Sequence, residues 1–123
     1  MSGARRHRNT KNEIRLALGK RKDCVIFNNE SGVARHPQFV RYGVGKGGAD
    51  LIGLTNGRFV ALEVKTGAAR LSAEQKLFRD LIERHGGFYA VVRNTTDASE
   101  AIDRAQKNYP HAIDADSDGG PED

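Results

Sequence analysis

The sequence predicts one α/β domain in which a central mixed β-sheet is flanked by helices. The pair Asn56-Gly57 stands between two apolar runs, which is the pattern of a β-hairpin with a two-residue turn. A helix with clear boundary signals follows the hairpin, and an apolar strand, "FYAVVRN", follows that helix. A strand, a helix and a second strand in this order form a right-handed crossover between parallel strands. A sheet that contains both a hairpin and such a crossover is mixed.

The first helix is predicted to begin at Thr10. Thr10 and Glu13 have the spacing of a capping box, in which each side chain accepts from a backbone N–H of the first helical turn. Ile14 and Leu18 are among the apolar positions that follow. The preceding segment, "SGARRHRN", is basic and polar, so residues 1–9 are expected to form a flexible arm.

One strand and one irregular segment are predicted between this helix and the hairpin. Cys24–Asn29, "CVIFNN", has the apolar run of a strand. From Glu30 to Gly48 the chain is rich in glycine and in basic residues, and it is predicted to be irregular. A short strand is expected inside that segment, at Phe39–Tyr42.

The helix after the hairpin has the clearest boundaries. Ser72 is its predicted N-cap, Gln75 is the third helical residue, and Gly86 follows its last turn. The helix is therefore expected over Leu71–His85, covering one face of the sheet. The residues predicted to form its apolar stripe are Leu77, Phe78, Leu81 and Ile82.

A last helix completes the predicted fold. Thr96 or Asp97 is its expected N-cap, and the helix is expected to continue to about Tyr109. The folded domain is thus predicted to cover residues 10–110, and residues 111–123, "HAIDADSDGGPED", to form an acidic disordered tail. The residues predicted to form the inner face of this helix are Ala98, Ala101, Ile102 and Ala105.

The charge of the chain is unevenly distributed. All 20 Lys and Arg residues lie within residues 1–110, together with 11 of the 16 acidic residues, so this body carries an excess of nine positive charges. Such a basic body suggests a polyanionic partner, nucleic acid above all. Solubility alone is the alternative explanation of the charge.

Two further features bound the class of protein. No run of residues is long and apolar enough to span a membrane, and the polar, basic N-terminus lacks a signal-peptide pattern, so a cytoplasmic location is expected. Cys24 is the only cysteine. A disulfide framework and a thiolate zinc site within one chain are therefore excluded.

The predicted hairpin brings two carboxylates face to face. With a two-residue turn at Asn56-Gly57, Asp50 lies opposite Glu63, and directly opposed residues share a face of the sheet. Lys65 is two residues beyond Glu63 and shares that face. Opposed like charges destabilise strand pairing, so one of three arrangements must offset the repulsion: an ion pair with Lys65, a proton shared between the carboxyls, or a divalent cation, for which two carboxylates and waters form a natural Mg²⁺ site.

A cation beside a lysine in a basic protein points to phosphodiester hydrolysis. The cation polarises the scissile phosphate and lowers the pKa of a water. The ammonium of Lys65 orients that water or offsets charge on the phosphoryl oxygens.

These residues also resemble a known pattern. Asp50 followed by Glu63-Val64-Lys65 resembles the PD-(D/E)XK nucleases, with Ala49 where the pattern has proline. The longer run "GGADLIGL…GRFVALEVKTG…LSAEQKLFRDLIERHGGFYAVVRN" is similar to the VRR-NUC family, and the resemblance covers residues from about 10 to 103. The Val-Arg-Arg signature of that family stands here as "VVRN", residues 91–94, without the second arginine.

The resemblance implies a restriction-endonuclease-like core and a Mg²⁺- or Mn²⁺-dependent DNA endonuclease. It assigns the catalytic lysine to Lys65 and places Gln75 beside the site. Small stand-alone members resemble Holliday-junction resolvases in fold, so a homodimer acting on branched DNA is expected. The metal ligands that the resemblance implies are Glu13, Asp50, Glu63 and the backbone carbonyl of Val64.

Several of these residues have an alternative interpretation. Glu13 also completes a capping box with Thr10, and Gln75 completes one with Ser72. Arg93 is either a solvated strand end or a partner of a carboxylate. The loop residue His36 is interpreted as a surface histidine. The candidate phosphate contacts are Arg35, Arg41, Lys46, Arg70 and Arg93.

Three rival functions remain open at this point. The first is a DNA-binding module without turnover, although such a module has no reason to keep opposed carboxylates. The second is a restriction-type, sequence-specific nuclease, whose groove-reading elements would have to come from the loop at residues 30–48. The third is a nuclease that acts on RNA.

Overall fold

The computed structural model describes residues 2–30 and 45–107, together with the backbone of residues 32–34 and 40–42. Three helices flank a four-stranded mixed sheet, so the predicted α/β fold with a restriction-endonuclease-like core is confirmed. The elements in chain order are α1 (Gly3–Gly19), β1 (Val25–Asn28), β2 (Gly32–Ala34), β3 (Val40–Tyr42), β4 (Leu51–Thr55), β5 (Arg58–Val64), α2 (Ala73–Arg84), β6 (Phe88–Val92) and α3 (Thr95–Lys107).

The sheet has the strand order β1-β4-β5-β6, and the register of its β4–β5 hairpin is the predicted one. Strand β4 is antiparallel to both of its neighbours, whereas β5 and β6 are parallel, as the crossover through α2 requires. In the hairpin, Leu54 pairs with Phe59. Asn56 and Gly57 both have positive φ, 51° and 80°, which is the conformation of a type I′ turn.

The segment before the hairpin is more regular than its composition indicates. The expected strand at Phe39–Tyr42 is present as β3, and it pairs antiparallel with β2 in a separate two-stranded sheet. Strand β2, Gly32–Ala34, was not predicted. The side chains of residues 31–44 lie outside the described part of the chain.

One face of the main sheet carries the larger core. Leu51, Leu62 and Val64 point to this face and are fully buried beneath α1 and α3. The predicted inner face of α3 is confirmed, since its small residues and Ile102 have no exposed surface. Their small size lets α3 approach the sheet closely.

The opposite face is covered by α2 only in part. Ala61 and Tyr89 are buried there, and Phe78 packs against them. The predicted apolar stripe is wrong for Leu77 and Leu81, whose side chains are 70% and 44% exposed. The helix packs mainly over β6, at one edge of the sheet, so one flank of its stripe has no strand beneath it.

Helix α1 begins earlier than predicted. Its N-cap is Ser2, whose Oγ accepts from the backbone N of Arg5 at 3.2 Å, and Thr10 lies inside the helix. The prediction of a helix start at Thr10 is therefore wrong, and residues 3–9, expected to be a flexible arm, form the first turns of α1. The Ser2 cap and the burial of Ile14 and Leu18 outweigh the poor fit of basic residues to a helix N-terminus.

The other two helices have well-defined starts. Ser72 and Gln75 form the predicted capping box of α2. The predicted cap of α3 is wrong by two or three residues, because the side chain of Asn94 accepts from the backbone N of Asp97 at 2.8 Å and the helix begins at Thr95. The last residues expected in α3 and the acidic tail, 108–123, lie outside the described residues.

Arg21 fixes the C-terminal end of α1 against α3. Its guanidinium donates to the Oγ of Ser99 at 2.8 Å and forms ion pairs with Asp23 and Asp103, both at 2.8 Å. The guanidinium lowers the pKa of Asp23 well below its usual range. Within the described residues, no helix has the length and apolar character needed to cross a membrane.

The loop that leads into β4 is seated on the first turn of α2. Gly47 has a φ of 86°, in the left-handed region. A Cβ at this position would lie 2.5 Å from the backbone oxygen of Glu74. Lys46 also forms an ion pair with Glu74 at 3.3 Å. Glycine is therefore required at position 47 for both conformation and space.

Replacing Gly47 by alanine tests this close approach. We expect Gly47→Ala to lower the free energy of unfolding by about 2–3 kcal/mol, from left-handed strain and the clash with α2 together. Gly57→Ala is the matched control, because Gly57 has a φ of 80° and open space around its Cα. Urea unfolding measures both variants, and equal losses would show that the contact with α2 contributes nothing.

Candidate active site

The opposed carboxylates lie at the end of the hairpin that is distant from its turn. Leu51 and Leu62 are the last pair of the β4–β5 ladder. Asp50 is the residue before β4, and Glu63 is the residue after Leu62 in β5, so they are the next opposed positions. Lys65 follows directly after β5. The three side chains share the face on which α2 packs, because the alternate residues face the larger core.

The carboxylate of Asp50 takes the place of a backbone partner. Its Oδ2 accepts from the backbone N of Val64 at 2.9 Å, which ends the strand pairing at this point. The same Oδ2 accepts from Nε2 of His7 at 3.3 Å. On the side of β1, the backbone N of Asn29 donates to the Asp50 carbonyl at 2.9 Å. Both of these contacts fall on Oδ2, so within the described part of the chain they leave Oδ1 for a ligand.

Glu63 is arranged in a similar way. Its residue is 4% exposed, and its Oε2 accepts from Nε2 of Gln75 at 3.1 Å. Its Oε1 is buried and has no hydrogen-bond partner among the described residues. Burial, and then the negative charge of Asp50, raises the pKa of Glu63 to about 8. The pair is held with one carboxylate oxygen fixed by protein donors and a second oxygen unfilled.

The ion-pair interpretation does not suffice to offset this repulsion. The Nζ of Lys65 lies 3.9 Å from Oε2 of Glu63, near the outer limit of a salt bridge. Although the ammonium favours the charged carboxylate, burial and Asp50 dominate and the pKa of Glu63 stays raised. In the metal-free protein the pair therefore tends to retain a proton at neutral pH.

Gln75 serves the helix and the site at once. Its Oε1 accepts from the backbone N of Ser72 at 2.9 Å, which completes the capping box. Its amide nitrogen is then directed towards Glu63. The capping interpretation of Gln75 is confirmed, and the same amide group also contacts Glu63. The cap fixes which side of the amide Glu63 meets.

Tyr89 is a neighbour of the site that sequence reasoning missed. Its ring packs edge-on against Phe78, with centroids 6.3 Å apart, and its buried hydroxyl has no hydrogen-bond partner among the described residues. Burial and the nearby Glu63 raise the pKa of this hydroxyl. The register places Tyr89 beside Ala61, on the face that carries Glu63. A tyrosine on that face of an otherwise apolar strand was the available signal.

Helix α1 brings His7 into contact with Asp50, a residue that the resemblance does not name beside Glu13. His7, Ile14 and Leu18 follow one side of the helix at intervals of seven and four residues. Glu13 is exposed beside that stripe. Within the described ranges, no group of three or more His, Cys, Asp or Glu residues that could hold a metal ion is found, so a ligand role for Glu13 stays a prediction. The misplaced helix start concealed His7.

Three of the five candidate phosphate contacts have side chains among the described residues. Lys46 is exposed and paired with Glu74, and Arg70 is exposed. The guanidinium of Arg93 donates to the carbonyls of Gly67 and Ala69, both at 2.9 Å. Arg93 therefore supports the turn after Lys65, and its guanidinium forms no ion pair with a carboxylate of the described residues. The side chains of Arg35, His36 and Arg41 lie outside the described residues.

The comparison with protein families agrees with this geometry. The model of the VRR-NUC domain matches residues 4–95, a span that runs from the first turn of α1 to the start of α3 and contains the opposed carboxylates. The chain belongs to the VRR-NUC family. The match includes residues 4–9, which agrees with the early start of α1. A search of the curated proteins finds no match.

The residues of this VRR-NUC domain fit a divalent cation. In an extended strand the N–H and C=O of one residue point to the same side, so the carbonyl of Val64 also faces Asp50. The unfilled oxygens of Asp50 and Glu63 complete a set of oxygen donors, which hard cations such as Mg²⁺ and Mn²⁺ prefer. A buried carboxylate oxygen without a donor is costly unless a cation or water satisfies it.

Replacing Glu63 by glutamine tests its protonation. A carboxyl whose pKa is raised by folding stabilises the folded state while protonated, and that stability is lost as pH rises from near 4.5 to about 8. Without metal, we expect the free energy of unfolding of the wild type to fall by about 4 kcal/mol over this window relative to that of Glu63→Gln, since one pKa unit corresponds to about 1.4 kcal/mol. Urea unfolding in EDTA at a series of pH values measures the free energy of unfolding of both proteins.

The control for this prediction is Glu100→Gln, an exposed position on α3. Its stability should follow the wild type at every pH. Parallel curves for the wild type and Glu63→Gln between pH 5 and pH 8 would contradict the raised pKa of the buried carboxyl.

Replacing His7 tests the contribution of α1 to metal binding. Groups that orient a ligand typically change metal affinity by about 10–100-fold, so His7→Ala should raise the Kd for Mn²⁺ about tenfold. His7→Gln, which retains a donor, should recover part of the affinity. The matched control on the same helix is Glu13→Gln, which should bind Mn²⁺ like the wild type. Isothermal titration compares them, and a larger loss in Glu13→Gln would restore the ligand role that the resemblance implies.

Proposed function

We propose that this chain is a Mg²⁺- or Mn²⁺-dependent endonuclease that hydrolyses phosphodiester bonds of branched DNA as a homodimer. The observation that carries the proposal is the opposed pair, in which Asp50 and Glu63 each keep one oxygen for a cation beside the ammonium of Lys65. Membership of the VRR-NUC family supports nuclease chemistry.

The chain's own groups orient the ligands. The backbone N of Val64 and the imidazole of His7 hold one oxygen of Asp50, and Gln75 holds one oxygen of Glu63. Asp50, Glu63 and the Val64 carbonyl would hold the cation. When bound, the cation supplies Lewis-acid stabilisation of charge on the scissile phosphate and lowers the pKa of a water.

Lys65 is positioned to assist the attack. Its backbone N donates to the Val92 carbonyl at 3.1 Å, which fixes its main chain against β6, and its side chain is only 16% exposed. The Nζ near Glu63 can orient a water or offset charge that develops on the phosphoryl oxygens. Arg93 supports the turn that follows, so the lysine is held from both sides.

An exposed apolar surface supports the homodimer. Val25 and Phe27 of β1, with Leu54 of β4, are 45%, 56% and 47% exposed and lie together by strand register. Strand β1 is at the edge of the main sheet. Contiguous apolar surface of this kind marks association sites. Two copies related by a two-fold axis present two catalytic centres, as the paired cuts at a branch point require.

A cleavage assay tests the proposed function. Substrates are a four-way junction, a flap, linear duplex and single-stranded DNA, with an RNA duplex as a further arm, each with Mg²⁺, Mn²⁺ or EDTA. We expect the protein to cut DNA only when Mg²⁺ or Mn²⁺ is present, and to cut the four-way junction faster than the other substrates. Lys65→Ala should reduce the rate by at least about 100-fold, because it removes transition-state stabilisation, with binding in EDTA unchanged. Sedimentation on the same preparation measures the mass.

Each other outcome identifies a rival. Lys22→Ala, an exposed lysine distant from the site, is the control and should cut like the wild type. Cutting that survives Lys65→Ala contradicts the assigned role of the lysine. Tight binding without cutting favours a binding module, cutting of duplex at one sequence favours a restriction-type enzyme, and cutting of RNA alone overturns the substrate.

A further inference from the structure

The first turns of α1 carry a charge that a helix start disfavours. The first turn contains no acidic residue and holds Arg5 and Arg6, and Arg8 and Lys11 follow in the next two turns. The N-terminus of a helix has a partial positive charge, so cations there reduce helix stability. The helix nevertheless extends to its Ser2 cap. A set of unfavourable cations at one end of a helix suggests an anionic partner at that end.

The contact of His7 places this end of the helix beside the candidate active site. Its Nε2 lies 3.3 Å from Oδ2 of Asp50. At the other end, Arg21 ties the segment after α1 to Ser99 and Asp103 of α3. Helix α1 therefore connects the opposed carboxylates, which lie next to its basic start, to α3 near its other end.

The phase of the helix decides which cations face the site. His7, Lys11, Ile14 and Leu18 lie on one side, within about 60° of one another at 100° per residue. Ile14 and Leu18 are buried in the core, so the same stripe changes from apolar to basic where it passes the site. Lys11 is half-buried there.

Two arginines flank this stripe. Arg6 and Arg8 adjoin His7 in the chain and are turned about 100° to either side of it. Both side chains are exposed. The stripe and its flanks together form a basic rim on the α1 side of the carboxylates.

We propose that Arg6, Arg8 and Lys11 bind the phosphate backbone of the DNA strand that enters the candidate active site. The proposal rests on the proposed function, since it takes the substrate to be DNA. Asp50 and Glu63 repel a phosphodiester, and cations on the adjacent helix offset that repulsion along the approach. A protein ligand with acidic side chains fits less well, because the rim borders a site that a polyanion must enter.

Salt dependence of DNA binding tests the proposal without cleavage. The variant Arg6→Gln/Arg8→Gln/Lys11→Gln is compared with Lys22→Gln/Arg84→Gln/Lys107→Gln, which loses the same charge. The control residues lie near the hairpin turn: Arg58 donates to the carbonyls of Gly86 and Ala105, close to the ends of α2 and α3. Binding of a junction and of duplex DNA is measured in EDTA at several salt concentrations.

We expect the slope of log K against log salt to become shallower by up to about 2.7 in the rim variant, at about 0.9 for each duplex phosphate contact, and to change little in the control. The charge-retaining variant Arg6→Lys/Arg8→Lys/Lys11→Arg should keep the wild-type slope. Equal slopes in the rim and control variants would overturn the proposal.

Measurements of thermal stability and of cleavage distinguish a loss of DNA binding from a loss of folding or of nuclease activity. Removing cations from a helix start should hold or raise the thermal stability of the DNA-free protein, and a fall in Tm with a loss of binding would assign the residues a structural role and overturn the proposal. If the rim variant keeps the wild-type salt slope and the wild-type protein cuts DNA, the proposed phosphate binding by the rim is overturned and the proposed nuclease function is not. A shallower slope in a protein that cuts nothing supports the rim and contradicts the nuclease.

Discussion

The hydrogen bond from the Val64 backbone to the Asp50 carboxylate is the interaction on which the site depends. It ends the β4–β5 ladder with a side chain in place of a strand partner, and it fixes one oxygen of Asp50. The same geometry turns the Val64 carbonyl towards Asp50 and sets Glu63 directly across. Without this bond the two carboxylates would repel with nothing to define their separation.

The fold makes the arrangement unavoidable once the core is buried. Leu51, Leu62 and Val64 are committed to the face beneath α1 and α3. Because strand residues alternate between faces, the intervening Asp50 and Glu63 must occupy the other face. Helix α2 covers that face at one edge only. The cover buries Glu63 sufficiently to raise its pKa, and the uncovered part of the face gives a ligand access to the carboxylates. The residues that form the larger core and the residues of the candidate site thus occupy opposite faces of the same two strands.

Features with a local sequence signal, and the strand pairing that a crossover connection implies, were predicted from the sequence, whereas side-chain contacts between distant segments were not. The hairpin register and the α2 cap depend on residues within a few positions of one another, such as Asn56-Gly57 and Ser72 with Gln75, and both are confirmed. The start of α1 was wrong because Thr10 and Glu13 imitate a cap that the earlier Ser2 supplies. The contact of His7 with Asp50 spans 43 positions, and no local pattern encodes it. The membership of the VRR-NUC family was predicted from spaced motifs and is confirmed.

Because one Gln75 amide caps α2 and also holds Glu63, the start of that helix and the carboxylate are thermodynamically linked. When the first turn of α2 frays, Oε2 of Glu63 loses its hydrogen bond from Gln75. A ligand that moves Glu63 away from Gln75 weakens the same hydrogen bond. By reciprocity, occupancy of the site alters how often this turn opens. The rates of amide hydrogen exchange at Ser72 and Gln75 therefore depend on whether the carboxylate pair holds a ligand. They measure the occupancy of the site at residues that do not bind the ligand themselves.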